Sequence, residues 1–223
     1  MCSSDLAFGP LVRDADAWIE RLTAGPSQLV AVATDGETYG HHHTGGDVVL
    51  ARVLETLGRR GDVRVENFAT FLARHEPQEE VRLVAPSSWS CPHGVERWRA
   101  ECGCRAAPER GLHQRWRAPL RAALEWLAAE LRAPFERDGR PLPPELERQA
   151  LRMFTSCGWF FDDIAGIESV IVLRSAARAI ELCGSPSEAA RLEAGLLERL
   201  ALAPSNDPSV GSGRELYLKQ VKR

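Results

Sequence analysis

Apolar residues recur at helical spacing over Asp14–Leu22, where Trp18, Ile19 and Leu22 share one side and Asp14 and Asp16 supply first-turn acids. Gly25-Pro26-Ser27 ends that segment. Leu29-Val30-Ala31-Val32-Ala33 is then a short unbroken apolar run, which predicts a strand buried on both faces of a parallel sheet. Gly45-Gly46-Asp47 predicts a helix start, with Val48, Val49, Val53, Leu54 and Leu57 on the helix and Gly58 and Gly61 near its end. A short helix is expected at about Asn67–Arg74, and Val81-Arg82-Leu83-Val84 alternates like a second strand.

After these residues the pattern changes. Ser87–Arg110 reads as a loop region containing Trp, Gly and Cys. His113–Glu136 reads as one long amphipathic helix, because Trp116, Leu120, Leu124, Leu127 and Leu131 fall four, four, three and four residues apart. Pro141–Pro144 breaks it, Pro143-Pro144-Glu145 opens another helix, and helical pattern runs on to Ala201 with one interruption near Gly184-Ser185-Pro186. The expected order is α/β passing into all-α, with Gln114 to Ala201 holding most of the structure. A parallel sheet lacking some of its strands would expose an aggregation-prone edge before it. Met1-Cys2-Ser3-Ser4-Asp5-Leu6 fits none of this. Its Cys-Ser-Ser-Asp-Leu matches the translation of a common sequencing-adapter stretch, so residues 1–6 are expected to be read-through joined to the tail of a longer gene.

Composition narrows the functional classes. The chain has 223 residues, 44% hydrophobic and 26% charged, enough to bury a core. With 28 basic against 31 acidic residues the net charge is −3, which argues against nucleic acid and anionic membrane as partners. There is no run of 18 apolar residues and no charged-then-apolar leader, so a cytoplasmic protein is expected. Six cysteines are too few for a disulfide scaffold.

The densest chemistry is Thr34-Asp35-Gly36-Glu37-Thr38-Tyr39-Gly40-His41-His42-His43, directly after the first expected strand. Loops at the carboxyl ends of parallel strands commonly carry catalytic groups. A solvated polar loop is the competing reading, and His41–His43 with Asp35 is also compatible with a metal-dependent polysaccharide hydrolase or deacetylase.

Asp35-Gly36-Glu37-Thr38-Tyr39-Gly40-His41-His42 resembles the fourth conserved region of family 57 glycoside hydrolases, which typically reads Asp-x-Glu-x-(Phe/Tyr)-Gly-His-Trp. That group includes α-amylases, 4-α-glucanotransferases and glucan branching enzymes. Ser87-Ser88-Trp89, the later Trp116, and Thr155-Ser156-Cys157-Gly158-Trp159-Phe160-Phe161 are similar to further segments of the family in the same order. Here His42 and His43 stand where the family carries an aromatic pair.

The resemblance implies the end of a (β/α)7-type barrel over residues 7–86, then a Trp/Cys-containing loop and helical domain over 87–223. It implies a retaining glycosidase or glucanotransferase acting on α-glucan or maltooligosaccharide. Asp35 would be the general acid/base and His41, Trp159 and Trp89 sugar contacts, with no organic cofactor. Retaining chemistry needs a second carboxylate about 5–5.5 Å away. Glu37, two residues on, projects from the same strand end, and no apolar strand ending in Glu precedes Asp35, so the nucleophile is expected outside this sequence. A non-catalytic carbohydrate-sensing protein is the alternative from a different class.

Cys91-Pro92-His93 and Cys102-Gly103-Cys104 place four soft ligands at spacings of two, nine and two. They are compatible with tetrahedral zinc, although the spacing matches no standard zinc signature; free thiols or one reversible bridge are the competing reading. Trp18, Trp98, Trp116 and Trp126 are expected in packing. Arg97 and Arg99 are expected to pair with surface carboxylates, and Asp162-Asp163 to cap a helix.

Overall fold

The structure, a computed structural model, describes residues 6–7, 9–26 and 28–222. Of the expected artefact at residues 1–6, residues 1–5 lie outside them and Leu6 is buried in the core of the first unit. The chain divides into two compact units, Met1–Val81 and Arg82–Arg223.

In the first unit a 3-10 turn at Pro10–Arg13 leads into α1 (Ala15–Thr23). The Asp14 carboxylate accepts from the backbone N–H groups of Asp16 and Ala17 at 3.1 and 3.0 Å, satisfying donors that a helix start leaves free. α2 (Gly46–Gly58) follows the left-handed Gly45, and α3 (Phe68–Leu72) is capped by Asn67. Leu6, Val12, Ala15, Trp18, Ile19, Val53 and Leu57 form the core of this unit. The pattern-based helices are therefore present close to their expected positions.

The two expected strands do not form a sheet. Among the described residues there is no strand, only isolated bridges at Tyr39–His43 and Pro204–Ser212. Leu29 and Val30 are 44% and 37% exposed, and Val81, Leu83 and Val84 are each more than 80% exposed. An apolar run records a tendency to be buried; a strand additionally requires a ladder of backbone bonds to a neighbouring segment, and neither segment forms a strand among the described residues. The α/β class and the (β/α)7 barrel end assigned to residues 7–86 are corrected accordingly: the described chain is helical.

The second unit is built from α4 (Arg117–Arg137), α5 (Pro144–Arg152), α6 (Cys157–Phe160), α7 (Ile167–Glu181), α8 (Pro186–Leu200) and α9 (Gly213–Gln220). The stripe Trp116, Leu120, Leu124, Leu127 and Leu131 is buried throughout and packs with residues from all the other helices. α4 lies against α8, α5 and α6 against α7, and α9 against α8. α8 approaches α4 closely at Gly195, where a Cβ would stand 2.2 Å from the Trp126 ring. α4 begins at Arg117 rather than near His113, because the His113 and Gln114 N–H groups are engaged by the side chains of Asn206 and Glu101. No helix of the described residues is long and apolar enough to cross a membrane.

Candidate metal centre

Residues 82–116 carry only two short 3-10 turns, Glu96–Trp98 and Pro108–Arg110, so their order comes from side-chain ties. The Ser88 hydroxyl donates to the Gly94 carbonyl at 2.7 Å, and the Trp98 indole donates to the Ser156 carbonyl at 2.9 Å. The Asp162 carboxylate accepts from the Ala106 and Ala107 N–H groups at 2.9 and 2.7 Å. Arg117 donates to the carbonyls of Cys104, Phe160 and Phe161 at 3.0, 3.4 and 3.2 Å. The loop is thereby fastened to α4 and to the chain leaving α6.

These ties bring Cys91, His93, Cys102 and Cys104 together, with one ligand atom from each lying within 4.8 Å of all the others. Gly103, at φ +88°, supplies the reversal that lets both flanking thiols face the same point. The Cys91 sulfur lies 3.9 Å from that of Cys102 and 3.7 Å from that of Cys104, and His93 Nδ1 is 3.9 Å from Cys91 and 3.6 Å from Cys104. A tetrahedral ion with bonds of about 2.3 Å to sulfur and about 2.0–2.1 Å to nitrogen has edges of roughly 3.5–3.8 Å. Two of these separations, 3.7 and 3.6 Å, fall within that range and the two of 3.9 Å lie just above it; the sulfurs are far beyond disulfide bonding distance. The four residues can hold a metal ion. Cys91, Cys102 and Cys104 are free thiols.

Two of the thiols are shifted in opposite directions. Burial pushes the Cys91 thiol up, but the backbone N–H groups of Arg97 and His93, with the His93 ring and Cys104, outweigh it and bring it down to about 7. Burial and the neighbouring Cys102 and Cys91 push Cys104 up to about 11. Burial, then the like charge of Arg97, pulls Arg117 down to about 10.

The remaining predicted residues are dispersed. Asp35 is exposed at the start of the 3-10 turn Gly36–Thr38, and Glu37, His41 and His42 are exposed beside it. His43 Nε2 contacts the Ala7 carbonyl at 2.8 Å, and Tyr39 stacks on Trp18 with ring centroids 6.0 Å apart. Asp35 and His41–His43 do not gather as a metal-holding group among the described residues. Thr34 and Tyr39, on either side of the turn, line a cleft of about 1070 Å³ shared with Trp18, Leu29, Phe71 and His75. In the second unit Trp89 is 77% exposed, whereas Trp159 is fully buried, stacked on Phe154 and donating to the Arg117 carbonyl at 3.3 Å. Neither face of the Trp159 indole is open to a sugar ring.

Four side chains of the second unit were misread or missed in the sequence. Arg97 is only 3% exposed; it donates to the Ser90 carbonyl at 3.0 Å and lies 4.2 Å from the Phe160 ring centre, not against a surface carboxylate. Asp162 and Asp163 cap no helix: Asp162 fastens the loop, and Asp163 accepts from Ala165, Ser205 and Asn206. Arg117 was detectable, because it stands three residues before Leu120 on the buried stripe of α4, where a charge is out of place.

Residues 143–223 match the family model described as a domain of unknown function (DUF3536). That match covers α5 to α9 and begins after the Cys/His loop. No curated protein and no solved structure matches the chain.

Proposed function

We propose that Cys91, His93, Cys102 and Cys104 hold a structural zinc ion that fixes an otherwise irregular loop onto the helical unit. The observation that carries this reading is the gathering of four soft ligand atoms within 4.8 Å of one another, four of the six pairs lying 3.6–3.9 Å apart, near the edge length of a tetrahedron. Four protein ligands complete the coordination of zinc and leave no position for a catalytic water, so the role is to hold the fold. A reducing cytoplasm keeps such thiols available for metal. The test is metal analysis of protein purified without chelator: about one zinc per chain supports the reading, and less than a tenth of an equivalent ends it.

A second reading concerns activity, and the run Asp35-Gly36-Glu37-Thr38-Tyr39-Gly40-His41-His42 favours it. Its likeness to family 57 glycoside hydrolases supports a role in retaining cleavage or transfer of α-glucans or maltooligosaccharides. Asp35 protonates the leaving sugar oxygen and then takes a proton from the incoming acceptor, while an opposing carboxylate forms and releases the glycosyl intermediate. Its exposure at the head of a turn leaves the carboxyl accessible to substrate, and the exposed His41 is positioned in sequence to contact sugar. The test is turnover of maltooligosaccharides by the intact gene product. Asp35→Asn is expected to lower kcat about 10²–10⁴-fold with binding retained. Sugar binding without any turnover would instead favour a sensing protein.

A further inference from the structure

Among the described residues, three charged side chains are buried, namely Arg97, Arg117 and Asp162; all three bond backbone groups in or within three residues of a ligand of the Cys/His cluster. Arg117 is fully buried and its bonds go to three neutral carbonyls. One of them belongs to the ligand Cys104. Arg97 bonds one carbonyl, that of Ser90 beside the ligand Cys91, and its Nε and Nη2 are buried without a partner. The two guanidiniums are close enough to repel each other. Asp162, whose two oxygens are already taken by the Ala106 and Ala107 N–H groups, supplies the only buried negative charge. The buried region therefore carries one uncompensated positive charge when the thiols are neutral, and an uncompensated charge out of water is strongly destabilising.

We infer that Arg97 and Arg117 are the counter-charges of a metal–thiolate centre, so that this loop takes a divalent ion on three thiolates and one neutral imidazole. A divalent ion with three thiolates carries one negative charge, which closes the balance; a divalent ion on two thiolates, or a monovalent ion on three, does not. The inference rests on the metal reading above and adds to it the charge state of the site and the two residues that select it. Groups outside the ligand set commonly tune a metal site by their hydrogen bonds and charge, and their loss typically costs about 10–100-fold in affinity.

The experiment uses the 223-residue chain, stripped of metal under reductant and titrated with Zn²⁺ against a chromophoric chelator, with Co²⁺ as the optical probe. Wild type is expected to bind one ion and to show a thiolate-to-cobalt charge-transfer band. Arg97→Met and Arg117→Met are each expected to raise the zinc Kd about 10–100-fold. Arg97→Lys, which keeps the charge, is expected to stay near wild type. Cys102→His converts the site to a neutral two-thiolate centre and is expected to bind weakly alone. Combined with Arg97→Met it restores the charge balance, so the double variant is expected to bind at least tenfold tighter than the two single effects predict. Additive effects, or wild-type affinity in folded Arg97→Met, overturn the inference while leaving the metal reading intact. Failure of wild type to take up either ion overturns the metal reading itself. If Arg117→Met does not fold, Arg97→Met and the double variant decide the matter.

Discussion

The two units of this chain use similar apolar material to different effect. Residues 82–223 close a continuous core around α4, from Trp116 and Leu120 through Leu173 and Leu196 to Tyr217. Residues up to 81 bury a much smaller set, from Leu6 to Leu57, and leave Leu29, Val30, Leu54 and Val65 exposed around an open cleft. The difference follows from backbone hydrogen bonding. A helix satisfies its own N–H and C=O groups and needs only an apolar neighbour, which the next helix provides. An extended segment has to find a second segment at the right register, and its apolar side chains stay in water until it does.

That contrast implies an ordered series of substitution effects. Trp159→Ala removes the largest side chain from the centre of the helical unit and is expected to destabilise it by about 3–5 kcal/mol, read from chemical denaturation. A small effect would mean that this core is loosely packed. Asp162→Ala deletes the carboxylate that accepts both the Ala106 and Ala107 N–H groups and leaves the buried guanidiniums without an acid. About 2–4 kcal/mol is expected, together with faster amide exchange over the Cys/His loop. Gly158→Ala places a methyl 2.5 Å from a Val172 methyl and is expected to cost about 1–3 kcal/mol through overpacking. In the first unit, Val30→Thr should change stability by no more than about 0.5 kcal/mol, because the side chain is already in water. The same substitution should slow aggregation in light-scattering measurements, since it interrupts an exposed apolar run. A loss comparable to that of Trp159→Ala would show that this run is packed in solution.

The helices were legible because each rests on local signals. Asp14 caps α1, Ser185 and Pro186 start α8, and the leucine stripe of α4 lies on its buried face. The sheet was not, because Leu29–Ala33 carries no information about a pairing partner. The Cys/His cluster was half legible: its four residue types marked out candidate ligands although their spacing matched no zinc signature, and only the loop's ties to Asp162 and Arg117 bring them within reach of one ion. Arg97 was assigned to the surface because a loop arginine normally lies there, and nothing in its neighbours Glu96 and Trp98 signals that the chain folds over it. Trp159 was assigned to sugar contact by motif likeness, whereas its neighbour Gly158 makes room for α7 to lie close against it.

Trp116 lies between the Arg117 guanidinium, 5.7 Å from its ring, and the Asp162 carbonyl, to which its indole donates at 3.4 Å. Its emission should therefore respond to any event that alters charge in the loop, with no added label. On the metal reading proposed above, the intrinsic fluorescence of the helical unit would serve as an optical gauge of occupancy, one that a stopped-flow instrument can time in dilute solution.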